Sequence, residues 1–385
     1  MTLELSKVAH QIDEMGRALA ERAQRQRRTL PAARELLRLF ANDQERLREV
    51  AASEAGQRLR CASPDDEPLN MAGAPHPLPP KTTVVAADGS QIFPDPHAMA
   101  FYYAINIGTI IFRAGSGQAP TVSTVPRLYY QDPEIYPHGQ PVTGSLVGAQ
   151  RNVEEVRTLA DLALEEAACE PRCAALRDGP LLMWFDRAAL PQGRAERLLD
   201  DYLSILDRLR TGGVPVAGFV SRPHGSEVVA LLYLAHLEPE ERSAVDSLST
   251  TDYRGLTDRA LFGFLREGER SATFVRGAGF IQDFRARGHD IHFFYLNTGA
   301  EIARVEVPEW IARQAQKLDL LHAVLYEQCR HNKGYPYVLT RADELAVILG
   351  PERQVLDEMI VQSLLRHGLH VPEMSAKAQL KKVAR

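Results

Sequence analysis

Cysteine is scarce: the four in 385 residues, Cys61, Cys169, Cys173 and Cys329, are too few and too unevenly spaced for a disulfide framework or a paired Cys-x-x-Cys zinc site. They read as the reduced thiols of a cytoplasmic protein. Long apolar runs are missing too, since no stretch approaches the roughly 20 residues that a membrane span needs. Met1–Lys7 lacks the charged-then-apolar pattern of a secretion signal. A soluble cytoplasmic chain with no membrane partner is expected. Nor is there an excess of positive charge: 45 Lys and Arg stand against 50 Asp and Glu, a formal charge of -5. Any nucleic-acid binding must then come from a local groove, a partner, or metal ions that mask carboxylates. The turn Gly115 Ser116 Gly117 lacks the lysine and spacing of a phosphate loop, which argues against an intrinsic ATPase. What is present is ordinary for a folded protein, 45% hydrophobic and 25% charged, enough for one large or two modest domains.

From Leu3 to about Leu59 the chain is rich in Ala, Leu, Glu, Arg and Gln, with Leu36, Leu37, Phe40, Leu47 and Val50 at helical spacing. This predicts an N-terminal helical arm over 1–61, broken near Pro31, whose narrow apolar stripe suits packing along another body or subunit. Prolines at 64, 68, 75, 77, 79 and 80 mark 62–81 as an extended linker. The main domain is expected over 82–370, with a basic tail over 371–385. Runs Thr82–Ala87, Ala100–Phe112 and Thr121–Tyr130 read as three antiparallel strands. A helix follows from about Gly148 to Ala168, then a strand pair around Ala174–Phe185, a helix over Ala195–Arg210 and a strand over Val214–Val220. Ile291–Leu296 and Glu301–Val307 flank an Asn-Thr-Gly turn and predict a hairpin. Helices are expected in Pro308–Arg330, Arg341–Leu349 and Pro351–His367. The order βββαβαβ is that of an α/β protein with a ribonuclease-H-like core, a mixed sheet flanked by helices, here with an N-terminal helical arm and a C-terminal helical region.

Acidic residues recur at element ends. In Val84 Val85 Ala86 Ala87 Asp88 Gly89 an apolar strand closes on a carboxylate, and Leu176 Arg177 Asp178 Gly179 repeats the arrangement. Glu155 lies on the helix between them, where Val156 and Leu159 can face the sheet, and Asp343 lies on a later helix. Hydrolysis of a phosphodiester needs a water deprotonated near neutral pH and charge compensation at the leaving oxygen. Two divalent ions about 3.5–4 Å apart supply both, and carboxylates are the ligands that Mg²⁺ and Mn²⁺ prefer. Taken singly, Asp-Gly is also a common turn pair and a helical glutamate is commonly a surface residue. Asp186, after Leu181–Phe185, rivals Asp178 as the ligand. Arg222, between a buried strand and Pro223, is placed either to clamp a phosphate or to form a structural ion pair. Lys333 and Tyr335 flank Gly334 and are candidate DNA contacts, whereas His322 on an apolar helix suits the core. Tyr102, Tyr103, Phe293, Phe294 and Tyr295 are expected to be mostly core.

A wider pattern joins these residues. Asp88 Gly89 Ser90, the helical Arg151 and Glu155, Asp178 Gly179 Pro180 Leu181 Leu182 Met183 Trp184, Gly218–Pro223, Gly268 Glu269 Arg270 Ser271, Phe293–Asn297, Glu301–Pro308, Gly334–Leu339 and Ala342 Asp343 Glu344 occur in one order. In this the chain, from Thr82 to Lys382, resembles the NurA nuclease family, whose members work with HerA hexameric ATPases in DNA-end processing. The resemblance implies a ribonuclease-H-like fold, a ring-like homodimer, and Mn²⁺-dependent (or Mg²⁺-dependent) cleavage of DNA. It further implies 5′-to-3′ exonuclease with single-strand endonuclease activity, and a HerA-like translocase as partner. It implies Asp88, Glu155 and Asp178 as metal ligands and favours Asp178 over Asp186. Where the family commonly has Ala-His, this chain has Ala342 Asp343, so Asp343 is expected to bind one metal or orient the attacking water. A catalytically idle binding partner of the ATPase is the alternative.

Overall fold

The computed structural model describes residues 4–98, 100–170, 172–183, 189–277 and 282–369. Asp186 and the 371–385 tail lie outside them. Among the described residues there are nine strands: β1 (Ser63–Pro64), β2 (Thr83–Ile92), β3 (Tyr103–Arg113), β4 (Thr121–Tyr129), β5 (Cys173–Asp178), β6 (Val216–Val220), β7 (Phe274–Val275), β8 (Ile291–Asn297) and β9 (Ile302–Pro308). The chain divides into two compact units.

One unit comprises Leu78–Asp178, Met183–Val216 and Pro336–Arg385. Its three leading strands form the expected antiparallel meander, Thr83 opposite Arg113 and Tyr103 opposite Tyr129. The helix Gly144–Cys169 then carries the chain back so that β5 lies parallel to β2, Thr83 beside Cys173 and Ala87 beside Arg177. The order is β5-β2-β3-β4. Thr83–Ala87 are buried without interruption because helices cover both faces of β2, and β5 is equally apolar up to Leu176 for the same reason. β4 is the edge strand; it is exposed from Thr121 to Leu128 and tolerates Pro126, whose missing N–H costs no ladder bond at an edge.

Thr143 caps the helix Gly144–Cys169, its hydroxyl accepting from Leu146 N–H at 3.3 Å. Leu146, Val147, Val153, Val156, Leu159, Ala160 and Ala163 form the buried face, and Glu155 is buried among them. After β5 the expected second strand of a pair is not seen: residues 179–183 carry no strand, and 184–188 lie outside the described residues. The turn of the chain at Gly179, with φ of 82°, ends the strand.

The other unit comprises Met1–Pro77, Gly179–Leu182 and Ala217–Tyr335. The predicted hairpin is present, β8 against β9, within an order β1-β7-β8-β9-β6. Its core joins Leu36, Leu37, Phe40, Leu47 and Val50 of the N-terminal helices to the helix Glu227–His236 and to Phe262, Phe274, Phe293 and Tyr295. The first helix runs unbroken over Ala9–Leu39, so the break expected at Pro31 falls instead after Leu39. Proline denies the Arg27 carbonyl its helical donor, but Arg27 is exposed and water can replace it. The buried turn Ala33, Leu36, Leu37 holds the helix on the far side. The proline-rich stretch is extended and tied down: Leu69 is buried, Glu67 pairs with Arg270 at 2.7 Å, and Asp65 pairs with His292 at 2.6 Å. The helix count after β9 matches expectation apart from one break, Glu309–Ala312 then Ala315–His331.

Candidate metal centre

The four predicted acids all belong to the first unit described. Asp88 does not end its strand, as the sequence had suggested. β2 continues to Ile92 against β3, and Asp88 marks only the end of the parallel ladder with β5. Ala87 is the last residue paired, opposite Arg177, so Asp88 and Asp178 are the next residues of two adjacent parallel strands and point to the same face. On that face sits the helix Tyr337–Ala346. A Cβ at Gly108, the residue opposite Asp88, would sit against Ala346 N and 2.5 Å from the Ala342 carbonyl oxygen. The last carbonyls of this helix are taken up by the sheet: Asn106 Nδ2 donates to Leu345 at 3.3 Å and Ala346 at 2.9 Å, and the Ser90 hydroxyl also donates to Ala346. Thus the helix that carries Asp343 is seated on the strand that carries Asp88.

The consequence is a crowd of carboxylates. Asp88 is half-buried, and its Oδ1 accepts from Gly89 N–H at 2.8 Å. Burial, a hydrogen bond with Asp343, and the charges of Asp343 and Asp178 push its pKa up to about 6, against the pull of the Gly89 amide. Glu155 approaches from the opposite face, where a Cβ at Gly89 would meet Arg151 Cγ at 2.9 Å. Only 3% of Glu155 is exposed, and burial raises its pKa to about 7 although Arg177 and Arg151 oppose the rise. Its Oε1 accepts from Arg177 Nε at 3.2 Å. Arg177 is the participant that sequence reading passed over. The signal was there: a single charge inside an otherwise apolar buried strand needs a buried partner.

Among the described residues, no group of three or more His, Cys, Asp or Glu is arranged to hold a metal ion. The donor chemistry nonetheless fits a hard divalent cation, because all four side chains are hard oxygen donors and the charges of Asp343 and Asp178 reach Asp88 strongly enough to raise its proton affinity.

Arg222, Lys333, Tyr335 and His322 lie in the other unit. Arg222 is exposed and its Nε is 3.4 Å from Glu301 Oε2, so the ion pair is present. Lys333 is exposed, and the Tyr335 ring stands edge-on to Phe219 at 5.3 Å. His322 is a core histidine, its Nε2 2.7 Å from the Gly268 carbonyl and its pKa lowered to about 4 by burial. Tyr102, Tyr103, Phe293, Phe294 and Tyr295 are all buried.

A three-stranded meander, a crossover helix, a fourth strand parallel to the first and an acid on each of those two strands define a ribonuclease-H-like α/β protein. The family model of the NurA domain matches residues 82–348, well over half of the chain. The chain belongs to the NurA family. Among solved structures, the NurA nuclease from Sulfolobus solfataricus is similar at 14% identity over 78% of this chain and 89% of that one, with a TM-score of 0.49. NurA bound to dAMP and manganese matches at 13% identity over 94% and 98%, TM-score 0.40. LC9-RNase H1, a type 1 RNase H, matches at 12% over 41% and 72%, TM-score 0.20. No curated protein matches. Among the described residues no helix is long and apolar enough to cross a membrane.

Proposed function

We propose that this protein is a metal-dependent deoxyribonuclease. The observation that carries the reading is the pair Asp88 and Asp178 side by side at the end of the β2–β5 ladder, with Asp343 near enough to raise the pKa of Asp88. Membership of the NurA family supports the same chemistry. Asp88, Glu155, Asp178 and Asp343 would hold Mn²⁺ or Mg²⁺, one ion or two. When bound, the ions supply a water deprotonated near neutral pH and charge compensation at the leaving oxygen. Asp88, central to the set, gives up the proton it holds below about pH 6. Asp343, on the exposed side of its helix, would bind one ion or orient the attacking water.

Arg222, Lys333 and Tyr335 are the proposed DNA contacts. Arg222 and Lys333 both hold left-handed backbone, φ of 45° and 54°, a conformation uncommon for a residue with a Cβ. Arg222 can exchange its exposed ion pair with Glu301 for a phosphate. The 5′-to-3′ polarity, the single-strand endonuclease activity, the homodimer and the HerA-like ATPase partner rest on the motif resemblance, and the cytoplasmic setting rests on the scarcity of cysteine. A second reading, a non-catalytic partner of the ATPase, is favoured by the engagement of Glu155 with Arg177 and by Asp343 standing where the family commonly has histidine.

One assay separates the two: purified protein with Mn²⁺, labelled linear and single-stranded DNA, with and without the ATPase, beside Asp88→Asn. Cleavage that Asp88→Asn abolishes supports the nuclease. No cleavage under either condition sinks it, and cleavage that survives the substitution belongs to a contaminant.

A further inference from the structure

Arg177 has no place in the chemistry described so far, yet it is one of the most enclosed charges in its unit. It is 7% exposed, on a strand whose other inward residues, Cys173 to Leu176, are apolar or small. Its immediate neighbour Asp178 points to the opposite face of the sheet, as alternate residues of a strand must. Arg177 therefore shares a face with Ala87, its register partner, and with Gly89, two residues further along β2. The helix Gly144–Cys169 covers that face, and there Arg177 Nε meets Glu155 Oε1 at 3.2 Å. One turn earlier on the same helix, Arg151 Nη1 donates to the Gly89 carbonyl at 2.9 Å, so the helix is fixed to the backbone directly after Asp88. Glu155 is thus gripped by a buried guanidinium, and its carboxylate is fixed in place by a side chain that sets out from the face opposite to Asp88.

We propose that Arg177 is a positioning residue of the centre, acting through Glu155. It holds the carboxylate in one orientation against the sheet, so that Glu155 serves a divalent cation without first being ordered. The proposal rests on the reading of the four acids as a cation centre. Partners of this kind, one shell out from a ligand, commonly change metal affinity by about 10–100-fold when removed.

The test is Mn²⁺ binding by isothermal titration calorimetry at fixed pH, on the full chain without DNA. Five proteins are compared: the parent, Arg177→Gln, Arg177→Lys, Glu155→Gln and the double Glu155→Gln/Arg177→Gln. Gln at 155 keeps an oxygen for Arg177, and thermal melting by circular dichroism confirms folding in each. Mn²⁺ affinity is expected to fall about 10–100-fold in Arg177→Gln and by less in Arg177→Lys. The double variant is expected to bind no more weakly than Glu155→Gln alone, since Arg177 acts only through that carboxylate.

Affinity in Arg177→Gln equal to or tighter than the parent overturns the proposal, as does a double variant whose losses add. A structural ion pair alone would lower the melting temperature and leave affinity unmoved. Should Arg177→Gln fail to fold, Arg177→Lys carries the same cycle. A parent that binds no Mn²⁺ refutes the cation centre itself, an outcome distinct from all of these.

Discussion

Replacing Asp88 with Asn should disable the protein and stabilise it at once. In the absence of divalent ions Asp88 faces Asp343 and Asp178 while half-buried, and its pKa rises from the usual 3.8 to about 6. Folding therefore strengthens its hold on the proton. The stability contributed by that tighter hold is complete below about pH 3.8 and is lost as pH rises through about 6. A shift of about two units corresponds to ~3 kcal/mol at 1.36 kcal/mol per unit. Partial exposure and solvent screening reduce this to about 1–2 kcal/mol. Asn carries no charge in either state. Its side-chain oxygen can keep the 2.8 Å hydrogen bond from Gly89 N–H, and its amide can donate to Asp343. Urea unfolding in EDTA should accordingly find Asp88→Asn more stable than the parent by about 1–2 kcal/mol at pH 8, with the gain roughly halved at pH 5 and absent near pH 4. A variant no more stable than the parent at pH 8, or a gain that ignores pH, refutes the picture of mutually repelling carboxylates.

Gly108→Ala would drive a Cβ into the backbone of the helix Tyr337–Ala346, at the Ala342 carbonyl and Ala346 N. A loss of about 1–3 kcal/mol is expected together with loss of cleavage, because the helix carries Asp343; thermal melting and a nuclease assay check both. His322→Ala removes a neutral histidine bonded to the Gly268 carbonyl. Stability should fall by about 1–3 kcal/mol with kcat unchanged, and a changed kcat would mean that His322 serves the reaction. Asp343→His should shift the preference between Mg²⁺ and Mn²⁺ in a cleavage titration, since an imidazole is a softer donor that Mg²⁺ accepts poorly; an unaltered preference would exclude Asp343 as a ligand.

Much of the core is legible in the sequence because its cues are local. The β-branched runs of β2 to β4, the 3.6-residue apolar spacing around Val153, Val156 and Leu159, and the Asn-Thr-Gly turn between β8 and β9 each carry their own period or turn chemistry. What escaped depends on partners distant along the chain. That β2 runs on past Asp88 is decided by β3, which offers partners out to Ala104 opposite Ile92. That Pro31 does not break its helix follows from the burial of Leu36 and Leu37 in a core shared with residues two hundred positions away. Asp88 and Asp178 could be nominated from their Asp-Gly contexts, but that they point to one face of the sheet follows from register. Arg177 hid for a related reason, since its meaning lies in Glu155 on another element.

The adjacency of Arg177 and Asp178 makes the centre sensitive to counting. The two residues face opposite sides of one strand, so a single-residue insertion or deletion within β5 would exchange them across the sheet. It would turn the guanidinium toward Asp88 and the carboxylate into the packed side beneath the helix Gly144–Cys169. Composition, hydrophobicity and predicted secondary structure would all be nearly unchanged by such an event. Relatives of this chain should therefore vary freely in the lengths of their outer loops while the number of residues from Cys173 to Asp178 stays fixed, the information being held in the phase of the strand.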